Sequence, residues 1–369
     1  MESKSRCYVL YRGPLMRATA SLQEGRVMVE VNGPLAHLRG IRSSMEMIDG
    51  QIAASAKEDS LVLSTWIPPV PSLAFDRLAK SHIKALTGLR TPDQVTISIT
   101  EECPNRCVHC ALPDSGQSMR LPPDVVKDLI HQILNLGTTL VIFDGGEPTL
   151  YRELPELVAA VGDRAISTLF TSGAGFTADL ARRLKEAGLY AVNVSLDSPV
   201  PEEHDAMRGR IGVFREAMRA VENAISAGLL VDIYAVLRHK NISRLQEFHD
   251  LARKVGAHEL TFFEVVSTGR WSEQRGVAMT GEDHAVMNAF VSRGGAPRIF
   301  SVPEALRRFG CFAGRNWMHI TPAGEVYPCA CYPQSYGNIL QEPVKKIWLR
   351  MGRYPHKGSR ICPLRRHEE

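Results

Sequence analysis

Cys103, Cys107 and Cys110 lie in the run Glu-Cys-Pro-Asn-Arg-Cys-Val-His-Cys, directly after the apolar stretch Val95–Thr100. Thiolates are soft ligands that suit zinc or iron–sulfur clusters. A zinc site usually takes four protein ligands and favours short Cys-x2-Cys pairs. Three thiolates in a Cys-x3-Cys-x2-Cys loop suit instead a cubane cluster whose fourth iron stays open. A second group follows far downstream. Cys311 and Cys329 are separated by x12-Gly-x4, Cys331 comes two residues later, and Cys362 lies near the C-terminus. The turn Pro322-Ala-Gly324 folds two short strands so that thiols distant in sequence meet. Cys311, Cys329 and Cys362 would leave one iron open, whereas adding Cys331 would close the site. Zinc held by all four is the alternative.

Other polar residues fall at predicted strand ends. Phe143-Asp-Gly-Gly-Glu-Pro-Thr149 contains two glycines that let backbone approach a ligand and turn carbonyls toward an ammonium group. Thr171-Ser172-Gly173 ends the next run, and Asn193-Val-Ser-Leu-Asp197 puts Asn193, Ser195 and Asp197 on one face of the run after that. A buried parallel strand is normally apolar on both faces, so these side chains indicate a lumen. Arg238-His-Lys-Asn241 and Ser267-Thr-Gly-Arg270 follow the fifth and sixth runs, and Arg270 is suited to a carboxylate.

The elements that must position these groups alternate regularly. Apolar β-rich runs at Val95–Thr100, Thr139–Phe143, Ala165–Phe170, Ala191–Leu196, Val231–Leu237 and Leu260–Val265 are separated by amphipathic helical stretches. Gly137, Gly188, Gly228 and Gly256 follow helices, where a left-handed cap favours glycine. Six such βα units predict a parallel sheet curled into a barrel, with its site at the C-terminal strand ends. Residues 1–94 show short strand-like runs (Tyr8–Tyr11, Arg26–Val31, Leu61–Trp66), an extended Ile67-Pro-Pro-Val-Pro71 linker and a helix over Phe75–Leu89. No βαβ pattern is present there. Cys7 stands apart from the clusters and reads as a buried apolar thiol.

A chain of 369 residues, 44% hydrophobic, is large enough for a sizeable core. A formal net charge of +4 is too small for its length to point to nucleic acid or a membrane surface. With no signal peptide or spanning run, the expected location is cytoplasmic, and eight cysteines there indicate metal or redox chemistry rather than disulfides.

The Cys-x3-Cys-x2-Cys loop together with Gly-Gly-Glu-Pro at the next strand end resembles the radical S-adenosylmethionine (SAM) superfamily. The C-terminal Cys-x12-Gly-x4-Cys resembles the opening of the SPASM and twitch domains, which carry auxiliary iron–sulfur clusters. The resemblance implies an α/β fold: a partial (β/α)6 barrel over 95–270. A small N-terminal α+β segment over 1–94 precedes it, and a C-terminal β-hairpin auxiliary-cluster domain over 271–369 follows. It implies an enzyme in which Cys103, Cys107 and Cys110 hold a [4Fe-4S] cluster that cleaves SAM to a 5'-deoxyadenosyl radical. Gly145, Gly146, Glu147 and Pro148 would hold the SAM amino group. Ser172, Asn193, Ser195 and Asp197 would meet its ribose or methionyl part, His109 would stack on its adenine, and Arg270 would meet a carboxylate. A ferredoxin or flavodoxin would supply electrons. A full SPASM domain has seven cysteines; this chain has four after residue 300, so one auxiliary [4Fe-4S] cluster is expected. The subgroup implies a peptide or protein substrate. Tetrapyrrole side-chain modification and cobalamin-assisted methylation of a protein are the rivals within the superfamily. A non-enzymatic iron–sulfur or zinc protein is the rival outside it.

Overall fold

The computed structural model describes residues 6–57, 59–112, 118–272 and 278–365. Five short strands come first: β1 (Cys7–Gly13), β2 (Met16–Gln23), β3 (Arg26–Asn32), β4 (Ser55–Lys57) and β5 (Ser60–Val62). The first three form an antiparallel meander. Leu10, Met16, Ala18, Ala20 and Val27 point inward from it as the alternation of a half-buried sheet requires. Cys7 is exposed, contrary to the expected buried thiol. It opens an edge strand, and the alternation buries Tyr8 instead.

The six expected parallel strands are β6 (Gln94–Ser98), β7 (Leu140–Asp144), β8 (Ile166–Thr171), β9 (Ala191–Ser195), β10 (Leu230–Leu237) and β11 (Glu259–Glu264). Each pairs in parallel register with the next. Between them the helices bury one stripe. Val213–Ser226 turns Val213, Ala217, Ala220, Val221 and Ala224 inward at helical spacing. Gly137, Gly188, Gly228 and Gly256 all have positive φ after their helices.

The sheet extends past those six strands. β12 (Arg298–Ser301) adds a seventh parallel strand beside β11. At the other edge β13 (Trp317–Ile320) runs parallel to β6, and β14 (Val326–Tyr327) returns antiparallel to it. The predicted hairpin is therefore present, but it continues the barrel sheet rather than standing apart from it. The order is β12-β11-β10-β9-β8-β7-β6-β13-β14.

The floor of the barrel, at the N-terminal strand ends, is closed by the segment after β5. Glu259, the first residue of β11, is fully buried. Its carboxylate accepts from Ser64 Oγ at 2.9 Å, Thr65 N at 2.7 Å and Thr65 Oγ1 at 2.8 Å, and pairs with buried Arg298. Trp66 Nε1 donates to Asp232 Oδ2 at 3.1 Å, and its ring packs on Phe170 and Tyr234. A buried charge persists only when paired and hydrogen-bonded, as here.

Candidate active site

The loop from Thr100 to Cys110 is gripped by backbone on three sides. Gly146 N donates to Thr100 O at 2.7 Å and Glu147 N to Glu102 O at 2.8 Å. A Cβ on Gly146 would stand 2.3 Å from Glu102 O, so this approach requires glycine. Opposite, Arg106 N donates to Arg208 O and Val108 N to Met207 O, both at 3.0 Å. From a third direction, Arg270 N donates to Cys110 O at 3.0 Å. Within this cradle the thiols of Cys103 and Cys110 are raised, chiefly by burial. Cys103 reaches about 11 with help from Glu147, Cys107 and Cys110. Crowded, buried thiols are unfavourable as anions until a positively charged group joins them, so this donor set fits a metal cluster.

Glu147 is fully buried, and its carboxylate is saturated by the protein. It accepts from Thr171 Oγ1 at 2.7 Å, Ser172 N at 2.8 Å, Ser172 Oγ at 2.6 Å and Thr149 Oγ1 at 2.9 Å. Asn105 Nδ2 donates to Ser172 Oγ at 2.8 Å, tying this network to the cysteine loop. Gly145, Gly146, Pro148, His109, Ser172, Ser195 and Arg270 line one cavity of about 1270 Å³. Glu147, Asn193 and Asp197 lie behind its wall. Asn193 Nδ2 reaches Leu169 O at 3.5 Å, and its Oδ1 has no partner. Burial alone would raise the Asp197 carboxyl, yet Arg208, then His109, hold it below its usual range. Arg208 Nε lies 2.8 Å from Asp197 Oδ2, and His109 Nε2 lies 3.5 Å from Oδ1. Burial lowers the His109 pKa, so a neutral ring faces the cavity.

The second cysteine group also converges. Cys311 N donates to Ser359 O at 2.7 Å and Gly358 N to Cys311 O at 3.0 Å, bringing the Cys362 turn beside Cys311. Burial, then Cys311 and Cys362, push the Cys329 thiol up to about 12. Cys331 rises well above its ordinary value through burial, then Cys329 and Cys362. Among the described residues no three His, Cys, Asp or Glu side chains close around a single ion position. Cys331 alone of these four lines the cavity.

Sequence reading missed a half-buried group between the two cysteine sets. Asp144, at the end of β7, lines the cavity and accepts from Ser98 Oγ at 2.5 Å. Ser98 Oγ lies 3.4 Å from Nε2 of buried His319 on β13. Burial raises the Asp144 carboxyl, while His319 and Ser98 pull it back. Tyr234 lines the same wall. Lumen-side alternation along β7 would have flagged Asp144. Nothing local marked His319, since only the return of β13 to β6 brings it there.

With this geometry in place, comparisons with known proteins are decisive for family. The radical SAM superfamily model matches residues 97–252, and the iron–sulfur cluster-binding (SPASM) domain model matches residues 311–361. PqqA peptide cyclase of Streptomyces rochei is 30% identical, over 74% of this chain and 82% of its own. AdoMet-dependent heme synthase of Methanosarcina barkeri is 26% identical, over 70% of this chain and 82% of its own. Streptococcus suis SuiB bound to its precursor peptide SuiA shares the fold at a TM-score of 0.59 and 16% identity, covering 73% of this chain and 68% of that one. This chain belongs to the radical SAM superfamily and carries a C-terminal SPASM-type domain. It is an enzyme whose cofactors are SAM, a SAM-binding [4Fe-4S] cluster and an auxiliary cluster. Among the described residues no helix is long and apolar enough to cross a membrane.

Proposed function

We propose that the enzyme removes a hydrogen atom from an unactivated carbon of a peptide or protein substrate held in the lumen. The observation that carries this reading is the single cavity reaching from Cys103, Cys107 and Cys110 past Asp144 to Cys331. Cys103, Cys107 and Cys110 hold the SAM-binding cluster. Cys311, Cys329, Cys331 and Cys362 hold the auxiliary one, with Cys331 on its substrate side. When bound, the cluster and SAM supply the 5'-deoxyadenosyl radical, and the protein contributes position and exclusion of water. The Gly145–Gly146 turn, Ser172, Ser195, His109 and Arg270 form the rim that orients SAM. Where the substrate radical is oxidised further, the auxiliary cluster would take its electron and the Asp144 carboxylate its proton, with Ser98 and His319 orienting that carboxylate. A ferredoxin- or flavodoxin-type protein donates electrons. The peptide class rests on the name of the PqqA peptide cyclase relative.

A carboxylate-bearing tetrapyrrole is the second reading. Arg308, Arg315, Phe309, Phe312 and Arg360 lie on the cavity wall, a basic and aromatic surface suited to propionates on a flat ring. The heme synthase relative points the same way. The test incubates reconstituted, reduced enzyme with SAM and either short peptides encoded near its gene or an iron porphyrin bearing propionates. Stimulated 5'-deoxyadenosine release with a mass change in a peptide supports the first reading. A change confined to the porphyrin replaces it with the second.

A further inference from the structure

The helix Pro201–Arg208 escaped the sequence reading, and its end is stapled to the first cysteine loop. Met207 O and Arg208 O accept from Val108 N and Arg106 N, so residue 208 cannot move independently of Cys107. This grip brings Arg208 Nη1 to 3.8 Å from Cys107 Sγ. Arg208 as a whole is 8% exposed, and its Nε lies 2.8 Å from Asp197 Oδ2. Asp197 is itself fully buried. It is fixed from behind, where Asp197 N donates to His204 Nδ1 at 3.1 Å and Asn241 Nδ2 donates to Asp197 O at 3.2 Å. His109 and Arg238 also face this carboxylate.

A fixed cation against a ligand sulfur stabilises the more negative, reduced form of an iron–sulfur cluster. A carboxylate behind that cation offsets part of the effect, and burial keeps water from screening either charge. We propose that Arg208 raises the reduction potential of the cluster held by Cys103, Cys107 and Cys110, and that Asp197 sets how far. Arg208 is thus a positioning and tuning residue whose action passes through the Cys107 sulfur. This rests on the cluster-ligand assignment above but not on the peptide reading.

The two side chains carry opposite charge, so their removal has opposite consequences. A packing role would give no such sign reversal. The test is a potentiometric titration, followed by electron paramagnetic resonance, of reconstituted enzyme without SAM or substrate. To isolate the signal, all forms carry Cys329→Ala and Cys331→Ala in the auxiliary group. Arg208→Met is expected to move the midpoint to a more negative potential, Asp197→Asn to a less negative one, and Arg208→Lys to stay near the parent.

Equal midpoints in the Arg208→Met and parent enzymes would overturn the proposal. So would a shift of both variants in the same direction. If Arg208→Met fails to hold iron, the comparison of Asp197→Asn with Arg208→Lys decides: a less negative midpoint only in the former supports the tuning, and any other order overturns it. A Cys107→Ala variant that keeps a full [4Fe-4S] signal would instead sink the ligand assignment, and the proposal with it. None of these readings depends on which substrate is turned over.

Discussion

Both ends of the barrel bury an arginine against a carboxylate, yet the two pairs do different things. At the floor, Arg298 and Glu259 face the hydroxyls of Ser64 and Thr65, which belong to the N-terminal segment. At the rim, Arg208, with Asp197 behind it, faces a cysteine sulfur. The chemistry of the pair is the same; what lies on its open side differs. Donors that complete the carboxylate's shell make a structural joint. A shell completed by a reactive group makes a tuning element. A buried pair seen alone therefore carries no information about function.

Several experiments would break or sharpen that contrast. The largest expected effect is at the cysteine loop: Cys103→Ala, Cys107→Ala or Cys110→Ala should abolish reductive SAM cleavage. Cys329→Ala should leave 5'-deoxyadenosine formation while uncoupling it from product. Next comes the floor. Glu259→Gln leaves Arg298 buried without its counter-charge, and should lower unfolding free energy by about 3–5 kcal/mol. A denaturant titration reads this. If the same variant moved the cluster potential, the division between floor and rim would be wrong.

Asp144→Asn should slow substrate turnover by about 100-fold, as loss of a general base does, with SAM binding unchanged. Burial raises the native Asp144 pKa, so the wild-type rate should climb as pH rises through that raised value, and the variant should lose this limb. Stability has the opposite dependence. The native state binds this proton more tightly than the unfolded chain, so its stabilising contribution is full at low pH and disappears as pH rises through the native pKa. Asp144→Asn should accordingly not be less stable than wild type at neutral pH. The smallest effect is expected from Ser64→Ala, about 1 kcal/mol of stability with activity intact.

Much of this was legible in the sequence, for local reasons. The cysteine spacings, the Gly-Gly turn and the six β-rich runs are short-range patterns, and local geometry makes each one. The hairpin around Pro322-Ala-Gly324 was visible for the same reason. The seventh parallel strand, Arg298–Ser301, was missed because it has only four residues and follows a helix, Gly281–Arg293, without a distinctive period. Glu147 was expected to face SAM, but its burial depends on three hydroxyl and amide donors from β8 and the residues just after it, which no window of sequence joins. Arg208 was hidden likewise: a helix of eight residues starting at Pro201 gave weak periodicity, and its meeting with Cys107 is made across about a hundred residues. The role of residues 1–94, opaque in sequence, becomes in part mechanical once Ser64, Thr65 and Trp66 are seen sealing the floor.

The short loop after β11 touches both cysteine groups. Arg270 N binds Cys110 O, while Thr268 Oγ1 donates to Cys331 O at 2.7 Å. Between them Gly269 presses so closely on Cys110 O that a Cβ there would stand 2.1 Å away. If the two cysteine groups hold clusters as proposed, the three consecutive residues Thr268–Arg270 fix the approach of one group to the other through their own backbone and side-chain contacts. The spacing of the two cysteine groups along this loop therefore depends on a methyl group that Gly269 does not have.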